Sequence, residues 1–120
     1  MNPVPLLRRA AALAARVPRQ EHYLGAVGIR ADGAIVTATN KAVRVPTPNG
    51  HVPDRAWNTH AEARLCRKLD AGAIVLVARV RSDGWAMARP CPGCLRLLRG
   101  RRVARVYFTI GPDEYGVIDF

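Results

Sequence analysis

An α/β fold, with one mixed β-sheet and helices on both of its faces, is the architecture that the sequence predicts. Two short apolar runs separated by a turn lie near the start, and helical and strand-like segments alternate in the second half. The longest apolar runs fall far short of the roughly 18 residues that suggest a membrane span. A chain of 120 residues, 49% of them hydrophobic, has the size of one domain. We therefore expect a single domain over residues 1–120, with a sheet of about four to five strands and no membrane partner.

The amino-terminal segment, residues 1–17, predicts an amphipathic helix that begins near Pro5. Proline suits the first turn of a helix. The apolar residues that recur at helical spacing are Leu6, Leu7, Ala10 and Leu13. The segment also contains arginines and no acidic residue, which is typical of transit peptides, so this alternative stays open.

Four segments have the apolar composition of strands: 24–29, 34–38, 73–80 and 103–109. Asp32 and Gly33 separate the first two segments, which predicts an antiparallel hairpin. Helices are predicted from Thr59 to about Gly72 and from Cys91 to Arg99. Because these helices connect strands, the later strands are expected to run parallel through right-handed crossovers.

Residues 41–57 predict a long loop, because they contain three prolines and show no sustained periodicity. Long loops in compact domains often carry function.

The charge and the cysteines limit the classes of function. Nineteen basic and nine acidic residues give a net charge of +10, which favours anionic partners, although the composition can also reflect codon bias. Three cysteines are too few for a disulfide scaffold and favour a reducing, cytoplasmic setting. Cys91 and Cys94 form a CxxC pair, which suits either redox or metal chemistry.

The residues whose side chains could bind a metal or catalyse a reaction lie at the starts of two predicted helices. His60 and Glu62 begin one helix, and Cys91 and Cys94 begin the next. One imidazole and two thiolates suit zinc and leave a fourth tetrahedral position for water. Taken singly, Glu62 is explained as the last residue of a capping box with Thr59, and the CxxC pair as a redox motif or half of a structural zinc site. The combination favours a catalytic metal site.

The motif His60-Ala61-Glu62, followed by Pro90-Cys91-Pro92-Gly93-Cys94, resembles the His-x-Glu and Pro-Cys-x-x-Cys signature of the zinc-dependent cytidine and deoxycytidylate deaminase superfamily. The order of elements over residues 23–109 is similar to that family's fold. The resemblance implies a three-layer α/β/α cytidine deaminase-like fold and a single CMP/dCMP-type deaminase domain.

The resemblance also implies the roles of the motif residues. His60, Cys91 and Cys94 are expected to bind Zn²⁺, and zinc-bound hydroxide attacks the carbon that bears the amine. Glu62 is expected to act as the proton shuttle. In relatives the backbone amide beside the zinc histidine, here that of Ala61, helps to hold the base.

Weaker candidates surround this motif. Asn40 matches an asparagine that contacts substrate in relatives, but it is equally well explained as a turn residue. Trp57 is expected either to stack on a base or to anchor the loop. Cys66 is expected to be a small core residue, and His51 a solvated loop residue.

The two motifs do not select the substrate, and a free cytosine nucleoside or nucleotide is the interpretation that we favour. Arg44 and Arg55 then become candidates for a phosphate clamp. The alternative is single-stranded DNA or RNA, held in a continuous basic groove. The residues of that groove are Arg64, Arg67, Lys68, Arg96, Arg99, Arg101 and Arg102. A non-catalytic zinc module that binds nucleic acid is an alternative of another class, and a homo-oligomer that uses residues 115–120 stays open.

Overall fold

The computed structural model describes residues 1–16, 23–40, 60–82 and 84–120. Within these ranges the chain forms three helices and six strands. In chain order they are α1 (Val4–Ala14), β1 (Tyr23–Ile29), β2 (Ile35–Thr39), α2 (Ala61–Cys66), β3 (Ile74–Arg81), β4 (Gly84–Ala86), α3 (Pro92–Gly100), β5 (Arg105–Gly111) and β6 (Glu114–Asp119). The part of the chain that the structure describes has no helix long and apolar enough to cross a membrane.

The strands form one mixed sheet in the order β2-β1-β3-β5-β6, and the short β4 pairs with the end of β3. The predicted hairpin is confirmed, since β1 and β2 are antiparallel, and so is the parallel pair, which β3 and β5 form. The sheet has six strands rather than four or five. Of the added strands, β4 has only three residues, and β6, which contains most of residues 115–120, pairs antiparallel with β5.

The predicted first helix is confirmed as α1, which covers one face of the sheet. It packs on β1 and β3, and its own side chains of Leu7 and Ala10 are fully buried against the sheet. Gly25 of β1 permits this contact, because a Cβ atom there would lie within 2.1 Å of the carbonyl oxygen of Ala10. The backbones of helix and strand therefore meet without an intervening side chain.

The opposite face carries α2 and α3 over a second apolar cluster, which completes three layers. Leu65 of α2, Leu98 of α3 and Val77 of β3 are fully buried members of that cluster. Helix α2 begins at Ala61 and has only six residues, so the expected helix from Thr59 to about Gly72 was too long at both ends. Gly72 has a positive φ of 86°, which suits a turn glycine and explains why the chain leaves the helix before it.

Candidate metal centre and its cavity

Both helices on this face begin with a residue of the predicted site. His60 is the N-cap of α2, and Cys91 is the N-cap of α3; both have extended backbone torsions. Pro92 favours the start of α3 because its fixed φ suits the first helical turn. Since His60 caps α2, Glu62 is the second helical residue and not the third. The capping-box interpretation of Glu62 is therefore wrong, and its carboxyl needs another explanation.

Three ligand atoms meet between the two helix starts. The side chains of His60, Cys91 and Cys94 place one imidazole nitrogen and two sulfurs within 4.8 Å of one another. Nδ1 of His60 lies 3.6 Å from Sγ of Cys91 and 3.4 Å from Sγ of Cys94. Glu62 is outside this cluster of three. The described residues thus bring three possible ligand atoms together and keep the carboxyl of Glu62 outside their cluster.

These distances suit a tetrahedral metal ion. Zinc bonds of about 2.1 Å to nitrogen and about 2.3 Å to sulfur place the two atoms about 3.6 Å apart at a tetrahedral angle. The separations from the imidazole to both sulfurs agree with that value within a few tenths of an ångström. The nitrogen and sulfur donors are those that zinc prefers, so the cluster could hold this ion.

Burial controls the protonation of the groups in and beside the cluster. The pKa of the Cys94 thiol is raised well above its ordinary value, mainly because the side chain is buried and secondarily because Glu62 lies nearby. Metal binding requires the thiolate. A metal ion must therefore displace a proton from Cys94, and its affinity is expected to fall as the pH falls.

Glu62 is an acidic side chain buried beside the cluster. The residue is only 4% exposed, and among the described residues its Oε1 atom has no hydrogen-bond partner. Burial raises the pKa of the carboxyl, although a backbone hydrogen bond, His60 and Cys94 partly oppose this effect. A buried acid with an unsatisfied oxygen costs free energy of folding, so such groups are more common at functional sites than in ordinary cores.

A cavity of about 330 Å³ opens beside these residues. Its described lining residues are Leu24, His60, Glu62, Arg79, Met87, Ala88, Arg89 and Cys91. It lies near the carboxyl end of β3, where Arg79 pairs with Leu24 on one side and with Ala86 on the other. Ligand sites in α/β proteins commonly lie beyond the carboxyl ends of parallel strands.

The weaker predicted contacts lie around this cavity or outside the described residues. Asn40 accepts a hydrogen bond through Oδ1 from the backbone N–H of Leu24, and its own backbone N–H donates to the carbonyl oxygen of Leu24. It thereby fixes a residue of the cavity wall. Ala61 is fully buried at the start of α2, where its N–H has no acceptor within the helix. Trp57 lies outside the described residues, as do three other candidates: Arg44, His51 and Arg55.

Cys66 lies in the core, as predicted. It is 5% exposed within the cluster beneath α2, and burial raises its pKa to about 11.

Three residues of the expected basic groove are engaged by the protein itself. Arg64 donates to the carbonyl oxygen of Thr39 at 2.6 Å, and Lys68 donates to that of Thr37 at 2.7 Å. Arg99 stacks over the ring of Phe120. These contacts use cations that the groove hypothesis assigned to nucleic acid.

The arginines of the cavity were not identified from the sequence. Arg89 directly precedes Pro90 and Cys91, so its position beside a candidate metal ligand could have indicated a cavity residue. Arg79 follows the apolar run 73–78 near the carboxyl end of a predicted strand, the end at which ligands of α/β proteins commonly bind.

The fold and the cluster together define an α/β protein of cytidine deaminase-like fold with a possible metal site. The fold is similar to that of a cytidine deaminase from Burkholderia pseudomallei, with a TM-score of 0.65. The match covers 99% of this chain and 93% of that one, at 16% sequence identity. No family model matches the sequence, and no curated protein matches it at a significant level.

Proposed function

We propose that this protein is a zinc-dependent hydrolase that deaminates a cytosine-type base in a nucleoside or nucleotide. The observation that carries the proposal is the buried carboxyl of Glu62, with an oxygen that lacks a partner among the described residues, beside a three-ligand cluster in an open cavity. The cytidine deaminase-like fold supports the same interpretation.

In this proposal each residue of the cluster has a defined role. His60, Cys91 and Cys94 hold the zinc ion. Bound zinc supplies Lewis acidity, which makes water a competent nucleophile near neutral pH. Glu62 accepts a proton from water and passes it to the ring nitrogen; it then takes the proton of the newly added hydroxyl and gives it to the amine, so that the C=O bond forms as the C–N bond breaks. Water thus adds to the amine-bearing carbon, and ammonia leaves.

Other residues orient the base and exclude solvent. Leu24, Met87 and Ala88 give the cavity its apolar walls. The N–H of Ala61 is a suitable donor to the carbonyl of the base, because it begins the helix. Asn40 and Trp57 remain proposed substrate contacts; the position of Asn40 beside Leu24 supports its part in this set.

A structural zinc module is the competing explanation of the cluster. Such a site has no use for a buried carboxyl beside it, and structural sites usually have four protein ligands. The three ligands among the described residues and the position of Glu62 therefore favour catalysis.

Purified protein with measured zinc content provides the test. It is incubated with cytidine, deoxycytidylate, guanine, adenosine and single-stranded DNA, and ammonia release and product mass are followed. Turnover of a cytosine compound is expected. Glu62→Gln should lower kcat by about 100- to 10,000-fold, because general acid–base catalysis contributes that much.

The matched control is Glu114→Gln, which makes the same change at an exposed position on β6. It should retain wild-type kcat. Full activity of the Glu62 variant, or no turnover of any compound by zinc-loaded wild type, would defeat the proposal.

A further inference from the structure

The catalytic cavity contains more positive charge than the chemistry of deamination requires. The described lining residues include two arginines, Arg79 and Arg89, and one carboxyl, that of Glu62. A neutral nucleoside offers no anionic group to the guanidinium of Arg89. A cavity with this lining favours an anionic ligand.

Arg89 is the more accessible of the two arginines. It is exposed, and its guanidinium carbon lies 5.9 Å from the centre of the Phe108 ring. The ion pairs within the described residues involve Arg30 and Arg105, and Arg89 takes part in none of them. Stacking on an aromatic face orients the guanidinium plane and leaves its N–H edge available for the oxygens of a phosphate.

The ring beneath Arg89 is itself held in place. Phe108 is 5% exposed and lies directly over Gly116 of β6, its register partner. A Cβ atom at Gly116 would come within 2.5 Å of Cζ of that ring. The glycine therefore lets the ring lie flat, and a fixed ring gives Arg89 a defined orientation.

Arg79 reaches the cavity from a different segment, strand β3. Its backbone N–H donates to Oγ1 of Thr109, and that hydroxyl donates to the carbonyl oxygen of Ala86. Thr109 is fully buried, so these bonds fix the point where β4 takes over the pairing with β3. The two arginines thus approach the cavity from separately anchored parts of the backbone.

We infer that Arg89, assisted by Arg79, binds the phosphate of the substrate, so that the enzyme acts on a cytosine nucleoside monophosphate in preference to the nucleoside. This inference rests on the proposed deaminase function. A cavity of about 330 Å³ lies at the small end of the range for ligand sites, roughly 300–1,000 Å³, and suits one nucleotide. The bonds of Arg64 and Lys68 to β2 argue against a longer basic track along α2.

The test compares kcat/KM for deoxycytidylate and deoxycytidine in wild type and in Arg89→Ala. The wild type should prefer the nucleotide. In the variant the ratio of the two values should fall by about 10- to 100-fold, the effect of one lost hydrogen-bonded charge contact. Phe108→Leu should lower the ratio less, and Arg89→Lys should restore part of it, because lysine keeps the charge without the fork.

Arg81→Ala is the matched control, since Arg81 lies two residues beyond Arg79 on β3 but outside the cavity lining. It removes the same charge and should leave the ratio unchanged. An unchanged ratio in Arg89→Ala overturns the inference. So does a higher kcat/KM for a single-stranded oligonucleotide than for deoxycytidylate.

Binding separates this inference from the proposed function. Zinc-loaded Glu62→Gln protein is titrated with deoxycytidylate and with deoxycytidine in a calorimeter. Tighter binding of the nucleotide, weakened by Arg89→Ala, supports the phosphate site even if wild type releases no ammonia. Equal binding of both compounds overturns it even if wild type deaminates both.

Discussion

The two faces of the sheet differ in what they bury. Beneath α1 the packed cluster consists of aliphatic side chains and Tyr107, and the helix backbone rests directly on Gly25. Beneath α2 and α3 the apolar cluster includes Cys66, and at its margin lie the buried Cys94 and Glu62. One face therefore gains free energy by close packing, whereas the other also bears the cost of burying ionisable groups.

The difference shows how a small domain can separate stability from chemistry. The helix of the packed face has eleven residues and contacts two central strands. On the other face α2 has six residues, and the reactive groups gather where it and α3 begin. A change on the first face should act on folding, and a change on the second should act on function or on the pH dependence of stability.

The largest effect is expected at Gly25, where valine should prevent stable folding. The added Cβ atom would overlap the backbone oxygen of Ala10, and a backbone atom cannot move aside as a flexible side chain can. Overpacking commonly costs about 1–3 kcal/mol, and a backbone clash lies at or beyond the upper end. Urea unfolding measures the loss. The control is Gly100→Ala, where a Cβ atom meets open space; a stable Gly25→Val protein would contradict the close contact of α1.

A smaller, pH-dependent effect is expected for Glu62→Gln in metal-free protein. The folded-state pKa of Glu62 is raised by burial, so the carboxyl stabilises the fold fully below its unfolded pKa of about 4.3. That contribution is lost as the pH rises through the folded-state value. The variant should therefore gain stability relative to wild type between pH 4 and pH 7, by about 1–3 kcal/mol, the usual cost of an unsatisfied buried group.

Urea unfolding of the two metal-free proteins at both pH values measures this gain. Glu114→Gln, exposed on β6, should show no such trend. A constant difference between wild type and Glu62→Gln would mean that the carboxyl is not buried as the structure has it.

The smallest effect is expected at Cys66, the cysteine that belongs to the core and not to the cluster. Cys66→Ala should cost about 1 kcal/mol and leave the zinc content unchanged. The pKa of Cys66 in the folded state is raised to about 11, whereas its pKa in the unfolded state is about 8.5. The contribution of the thiol to the free energy of unfolding is therefore complete below about pH 8.5 and is lost as the pH rises through about 11. Unfolding at pH 8 and pH 10.5 measures this loss, and a fall in zinc content would place Cys66 in the metal site.

The site motifs and the pairing of the sheet could be predicted because both depend on local sequence. Apolar runs with a turn between them predicted β1 and β2, and the spacing of Cys91 and Cys94 predicted two candidate ligands at one helix start. The register that sets Leu24 opposite Arg79 depends on two segments far apart in the chain. The cavity wall therefore could not be deduced from composition.

Physical reasons explain why two strands and the end of one helix were not predicted. Strand β4 is too short to give a pattern, and in β6 the apolar Tyr115 and Val117 are exposed while Gly116 and Ile118 are half-buried, so its apolar residues do not mark a buried face. Helix α2 ends early because residues 67–68 form a turn, and Gly72 then has a positive φ that an α-helix does not allow. The apolar spacing of Leu65 and Leu69 continues past the helix, and both side chains are buried.

The contacts of Arg64 and Lys68 with β2 have a consequence for the behaviour of the protein at high concentration. Among the described strands β2 lies at an edge of the sheet, and the bonds from Asn40 to Leu24 and from Arg30 to Ala34 show that the even-numbered residues of β2 bond to β1. The carbonyl groups of Thr37 and Thr39 therefore point outward, where a strand from another molecule could pair with them. Arg64 of α2 and Lys68, which follows that helix, already bond to these acceptors, so the sheet is protected against edge-to-edge growth at this strand and against the aggregation that follows from it.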